Sequence, residues 1–333
     1  MFLYGEKAAF AGQMYDSLLQ KAVVGNEEID GMRLLQQLSG IMVETLMLFD
    51  EPDDGITVTY HKLAELLSCE PKSCLLGRSV LPPAYVMDVE VEQGRHLAKT
   101  LFEDWLNCAY DFHDLILFSV HHLIIRMEAS GQPRADVFRL FIEITNRAMA
   151  FEFAAQELCD IVLDASVDGI KGEDSSGGKW TLSQCVSALG ATAGRNLALS
   201  MPECEIFNGP LFPEKLDQVA CVMTQEATRL GVPVGSDWRF GLAANDFVTS
   251  APYDLIMTLE PSCQKLFELL GLRDLMEQAV CVSKATGRML AITSSGVDPM
   301  IDPVIAKPLA MGAMTDTYKT VCREKAEYAF GAE

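Results

Sequence analysis

Apolar positions recur at three- and four-residue steps through much of the first 160 residues. Over 94–128, Leu97, Leu101, Trp105, Phe112, Ile116, Val120, Leu123 and Met127 hold one side, while Asp104, Asn107, Asp111, Asp114, His121 and Glu128 hold the other. This spacing predicts one long amphipathic helix. The turn chemistry of Ser130, Gly131, Gln132 and Pro133 ends it, and a helical pattern resumes over 134–160, so the two segments pair as an antiparallel hairpin. A further helix is predicted over 30–49, stopped by an acidic turn at 50–55. Residues 77–92 carry a Pro pair followed by an alternating stretch that fits one strand.

Past residue 160 the texture changes to short apolar runs between helical segments. The runs at 161–167, 204–207, 232–235, 255–259, 280–283 and 289–293 read as strands, and 182–199, 214–230 and 262–279 read as helices. Strands alternating with helices of this length imply βαβ units and a parallel sheet. Six runs fall short of the roughly eight strands of a closed barrel. The expected fold is therefore α/β: a mostly helical N-terminal region packed on a C-terminal β/α layer, either an open sheet or a partial barrel. The partial barrel would recruit 56–60 and 85–91 as extra strands. No internal repeat of fixed period is visible, and 172–178 is the one low-complexity stretch.

Length and composition sharpen this picture. A chain of 333 residues, 49% hydrophobic, has enough apolar mass for about two domains, divided on texture into a helical region over 1–160 and a β/α domain over 161–333. Twenty-six basic against 47 acidic side chains give a net charge of -21, which repels phosphate backbones and anionic membrane surfaces. The first residues lack a basic stretch before an apolar one, and no long uncharged apolar run occurs, so neither secretion nor membrane spanning is expected. Ten cysteines scattered along a long chain read as reduced thiols, hence a cytoplasmic location.

The chemistry follows from where polar residues fall. A predicted strand, the glycine-rich stretch 168–179 and a helix opened by Thr181 and Gln184 in capping-box spacing would form an anion site. The phosphate-loop pattern is nevertheless unmet: Glu173 stands where its first glycine belongs, and Trp180 replaces the magnesium-binding hydroxyl. In an α/β sheet the ligand crevice lies at the carboxyl ends of the strands. The residues there are Asp164, Asp168, Asn208, Ser236, Asp237, Arg239, Glu260, Lys284, Thr293, Ser294 and Ser295. From them we take Asp164, Asp237 and Glu260 as the catalytic candidates, acting as acid and base or holding a divalent ion such as Mg²⁺. Asn208, Arg239 and Lys284 are the substrate-binding candidates. The competing expectation for each is a helix cap or a turn residue.

All five histidines, at 61, 96, 113, 121 and 122, precede residue 123, so a histidine-based site must involve the helical region. Asp114, His121 and Glu128 share a helix stripe, and Glu143, Glu152 and Glu157 follow on the next helix. The E-x-x-H step of carboxylate-bridged metal bundles is absent, and a solvated acidic face explains these residues more simply. No C-x-x-C pair supports zinc. Cys263, near a predicted helix start beside Glu260, is a candidate thiolate nucleophile without an identified base. Residues 294–308 hold three prolines and read as a rigid loop before the final helix.

Besides a third option, an active site between helices with the histidines as ligands, two functional classes stand foremost. One is a cytoplasmic enzyme, a lyase or group-transfer catalyst, acting on a small polar or anionic metabolite at the strand ends with a divalent metal or an organic cofactor. The other is a non-catalytic assembly or maturation partner that docks a protein, or a second copy of itself, through the helical region.

Overall fold

The computed structural model describes residues 9, 12, 13, 15, 16, 31–47, 52–69, 89–105, 112–166, 180–202, 213–232, 252–294 and 300–330. They form helices: α1 Gly31–Leu46, α2 Pro52–Leu67, α3 Val89–Trp105, α4 Phe112–Ala129, α5 Arg134–Asp164, α6 Leu182–Ser200, α7 Glu214–Arg229, α8 Pro252–Leu269, α9 Leu275–Ser294 and α10 Pro303–Phe330. The expected β/α layer is overturned. No strand occurs among the described residues, and the one β-type pairing among them is an isolated bridge between Ser166 and Trp180.

The correction has a physical cause. Runs 280–283 and 289–293 lie on one helix, α9, whose residues are buried almost throughout, from Met276 and Glu277 to Thr293 and Ser294. A helix enclosed on all sides loses its 3.6-residue alternation and reads as continuous apolar runs, just as a central parallel strand does. Run 255–259 lies in α8, and 161–164 closes α5. Runs 204–207 and 233–235 fall outside the described residues, as do most of 77–92 and the glycine-rich stretch 167–179. Segment 56–60 belongs to α2, not to an added strand.

The predicted helix over 262–279 is two helices. Gly271 takes a φ of 69°, and the Leu272 amide donates to Phe267 O at 2.8 Å, which closes α8. Asp274 then caps α9, its Oδ1 accepting from the amides of Met276 and Glu277 at 2.9 and 3.1 Å. Likewise 94–128 divides into α3 and α4. The proline-rich 294–308 is only partly a loop, because Pro303 opens α10 and Pro308 sits inside it. A proline at the first helical position loses no bond, its amide being an orphan there in any case. The capping box at α6 is as predicted: Thr181 Oγ1 accepts from the Gln184 amide while Gln184 Oε1 accepts from the Thr181 amide.

The chain divides into two compact units, Met1–Met149 and Ala150–Glu333, with the division inside α5. In the first, α1 lies against α3 and α4, and α2 against α4. In the second, α6 is flanked by α10 and α9, α9 carries α7, and α8 lies on α6. Helices approach each other closely at several glycines. A Cβ at Gly190 or Gly194 of α6 would run into the carbonyl oxygens of Ala310 and Met314 on α10. Gly40 of α1 and Gly94 of α3 meet each other's helices the same way, at Val91 O and Gln37 O.

Candidate functional site

The second unit encloses a cluster of charges. Glu152 on α5, Glu226 on α7 and Lys284 on α9 have side chains 1%, 1% and 0% exposed, and Arg288 is 9% exposed one helical turn after Lys284. Lys284 Nζ lies 2.5 Å from Glu152 Oε1 and 3.8 Å from Glu226 Oε2. Arg288 bridges the two carboxylates: its Nη2 donates to Glu152, its Nε donates to Glu226 at 2.8 Å, and its Nη1 donates to Gln156 at 3.0 Å. Arg229, one turn along α7 from Glu226, adds two donors to that carboxylate at 2.7 and 3.0 Å. Beside the cluster Ser283 Oγ donates to Val219 O at 2.5 Å, tying α9 to α7. Cys159 Sγ donates to Ala285 O at 3.2 Å.

Charges so deeply buried persist only when their oxygens and protons are taken up by partners, since desolvating each ion is costly. Here the partners come from three helices brought together at one place. Gly287 makes this possible. It precedes Arg288, and a Cβ there would crowd Met223 O and Glu226 of α7, so α9 and α7 approach closely enough for the guanidinium to span the carboxylates.

The same local device occurs three times. The pentapeptide Gly-Arg-x-Leu-Ala stands at 94–98 on α3, 194–198 on α6 and 287–291 on α9. In each copy the glycine meets a neighbouring helix backbone: Gln37 for Gly94, Met314 for Gly194 and Met223 for Gly287. In each copy the arginine pairs with glutamate. Arg95 contacts Glu44, and also Glu92 at 3.2 Å; Arg195 contacts Glu260 at 2.7 Å; Arg288 contacts Glu226 and Glu152. Reading for a fixed period missed this repeat because its copies are unequally spaced. Glu226, Arg195 and Arg288 were missed with it, although the pentapeptide was a legible signal.

The candidates read from the sequence divide as follows. Asn208, Asp237 and Arg239 lie outside the described residues, as do Asp168, Ser236 and Ser295. Asp164 is exposed in the last turn of α5, Glu260 is half-buried on α8 and paired with Arg195, and Lys284 is the centre of the ion cluster. These three sit on different helices, not at strand ends, and no strand occurs among the described residues to gather them. Cys263 is buried, and loss of solvent, reinforced by Glu260, pushes its thiol up to about 11, the opposite of an activated nucleophile.

In the first unit, Thr59 Oγ1 and His113 Nε2 are 2.7 Å apart and buried. Asp114 Oδ1 is 3.9 Å from the other ring nitrogen, too long for a hydrogen bond, and 3.2 Å from Lys62 Nζ. His122 meets the Tyr15 ring edge-on at 5.1 Å, and the Arg126 guanidinium lies over that ring at 5.6 Å. Burial, with His122 and Arg134 adding to it, holds His121 below the ordinary histidine value, so it is neutral at pH 7. Among the described residues no group of three or more His, Cys, Asp and Glu is placed to hold a metal ion, and no helix is long and apolar enough to cross a membrane.

Comparison of the chain with protein-family models, with curated proteins and with solved structures finds no match in any of the three.

One consequence of the cluster is directly measurable. Burial beside Glu226 and Asp160 raises the Cys159 thiol to about 12, with Arg288 opposing. A group raised in the folded state adds stability that is full below the unfolded value near 9 and is lost as pH climbs through 12. Denaturant titrations of wild type and Cys159→Ala between pH 8 and 11 should therefore converge as pH rises. Parallel curves would refute the assignment.

Proposed function

We propose that this chain is a non-catalytic assembly protein whose helices present a docking surface to a protein partner. The observation that carries this reading is the repeated Gly-Arg device. The charged side chains best placed by burial and geometry for chemistry, Lys284, Arg288, Glu152 and Glu226, are engaged with one another across helix contacts. Saturated buried pairs of this kind favour register and specificity of packing over turnover. The net charge of -21 favours a partner with a basic or neutral face, bound more weakly as salt rises. Exposed apolar side chains such as Val58 on α2 and Met257 and Leu269 on α8 supply the non-polar part of such contacts.

The full chain isolated from the cells that make it, examined by native mass spectrometry and metal analysis, tests the proposal. A protein partner in fixed ratio, released by raising salt from about 0.1 to 0.5 M, is the expected result. A lone monomer, or a chain holding an organic cofactor or magnesium in stoichiometric amount, overturns it in favour of the metabolite-processing alternative.

A further inference from the structure

The three copies of the Gly-Arg device are not equivalent, and the difference singles out α8. In the α3 and α9 copies the arginine side chain is 1% and 9% exposed and meets two carboxylates. In the α6 copy Arg195 is 27% exposed and, among the described residues, meets one carboxylate, Glu260, itself 23% exposed. The geometry of the other two copies also joins the helices on which the glycine docks: Gly94 sits on α1, which supplies Glu44, and Gly287 sits on α7, which supplies Glu226. In the α6 copy the glycine docks on α10, but the glutamate comes from α8. The tight glycine contact is thus made with α10 and the ion pair with α8, so the two are carried by different helices.

The rest of α8 agrees with a light attachment. Among the side chains of α8 that are described, the buried apolar ones are Ile256, Leu259, Cys263 and Phe267, at three- and four-residue steps. Met257 and Leu269 point to solvent, 47% and 83% exposed. Ile256 packs with Ala191 of α6 and Ala313 of α10, so this stripe of side chains lies over small ones and makes a shallow contact. Pro261 inside the helix removes a backbone hydrogen bond within the turn that holds Glu260. Among the described helices α6 is the one substantial neighbour of α8.

We propose that α8 is a strap that lifts from α6 as a unit, with Arg195–Glu260 as its latch, while α6, α9 and α10 stay packed. Lifting uncovers the stripe and the seat at Ala191 and Ala313. Because the latch is partly in water, salt screens it, whereas the enclosed pairs at Arg95 and Arg288 are shielded from that screening. The inference concerns motion within this chain and holds whether or not a protein partner exists.

Cys263 reports the motion, because it lies on the strap's inner stripe, while Cys159, Cys185 and Cys281 are buried on α5, α6 and α9. The experiment is site-resolved alkylation of the full native chain, read by mass spectrometry, together with amide hydrogen exchange over 256–269 and 276–294. Cys263 should be alkylated at least about tenfold faster than Cys159, Cys185 and Cys281, and α8 amides should exchange faster than those of α9 by a similar factor. Glu260→Gln should raise both α8 rates roughly two- to fivefold, the scale expected for a partly exposed pair. Raising salt to about 1 M should do the same to wild type and add nothing to the variant. The charge-swapped pair Arg195→Glu with Glu260→Arg should restore slow rates. Equal protection of α8 and α9, or rates indifferent to Glu260→Gln and to salt, would overturn the proposal.

Discussion

Glu226→Ala should lower the stability of the second unit by about 3–5 kcal/mol, the scale for removing one partner from an enclosed ion pair. Glu226 receives two donors from Arg229 and one from Arg288, and lies 3.8 Å from Lys284. Its loss takes a carboxylate away from Lys284, Arg288 and Arg229, whose side chains are 0%, 9% and 16% exposed. The midpoint of chemical denaturation, followed by circular dichroism at constant slope, measures the effect. A companion variant separates burial of charge from loss of volume. Replacing Glu152 and Lys284 together by methionine removes a cation and an anion at once, and should recover most of the loss produced by Glu152→Ala alone, because apolar side chains of similar size need no partners. If the double variant is the less stable of the two, the cluster is not governed by desolvation.

The second large effect concerns a substitution that ordinarily strengthens helices. Alanine in place of an interior helical glycine gains about 1 kcal/mol. At Gly194 the new Cβ would enter the space of Met314 O across the α6–α10 seam, so Gly194→Ala should instead destabilise by about 1–3 kcal/mol. Gly312, on the facing helix α10, has nothing within 4 Å of where its Cβ would be. Gly312→Ala should therefore stabilise, by up to about 1 kcal/mol. Opposite signs for the same chemical change on two facing helices are the diagnostic. Shifts of like sign would mean that the seam is looser than its glycines imply.

How much of this was legible before the structure depends on which side of a helix faces water. Helices α5, α6 and α7 were read almost to their ends, because solvated faces give α5 and α7 a clear polar side and because Thr181 and Gln184 mark where α6 begins. Besides the runs at 161–164 and 255–259, the error fell on α9, where Ser283, Lys284, Thr286 and Arg288 are buried alongside Val280, Val282 and Met289. Buried polar residues interrupt an apolar run without exposing a face, so 280–283 and 289–293 looked like separate strands. The missing boundary between α8 and α9 was written in Gly271 and Asp274, a helix-ending glycine followed by a capping carboxylate. Those two residues carried the right signal, but the apolar spacing on either side concealed it.

The site was less legible than the fold. Lys284 was selected as a group that would clamp an anionic substrate, and it does meet a carboxylate, but one belonging to the chain itself, 132 residues earlier at Glu152. Sequence spacing carries no information about such a distant pairing. The recurring Gly-Arg-x-Leu-Ala segment could have pointed to it: a glycine marks close approach of another backbone, and an arginine directly after it marks a charge carried into that contact.

The reach of the buried cluster along the chain also bears on how the protein is made. Synthesis proceeds from the N-terminus at about 5–20 residues per second, and domains close as their parts emerge. Glu152 leaves the ribosome early, yet the cations that neutralise it stand at 284 and 288. Until α9 has been translated and has left the exit tunnel, Glu152 and Glu226 lack the contacts that Lys284 and Arg288 give them in the finished unit. The buried pairing that ties α5, α7 and α9 together therefore forms only after most of the second unit has been synthesised.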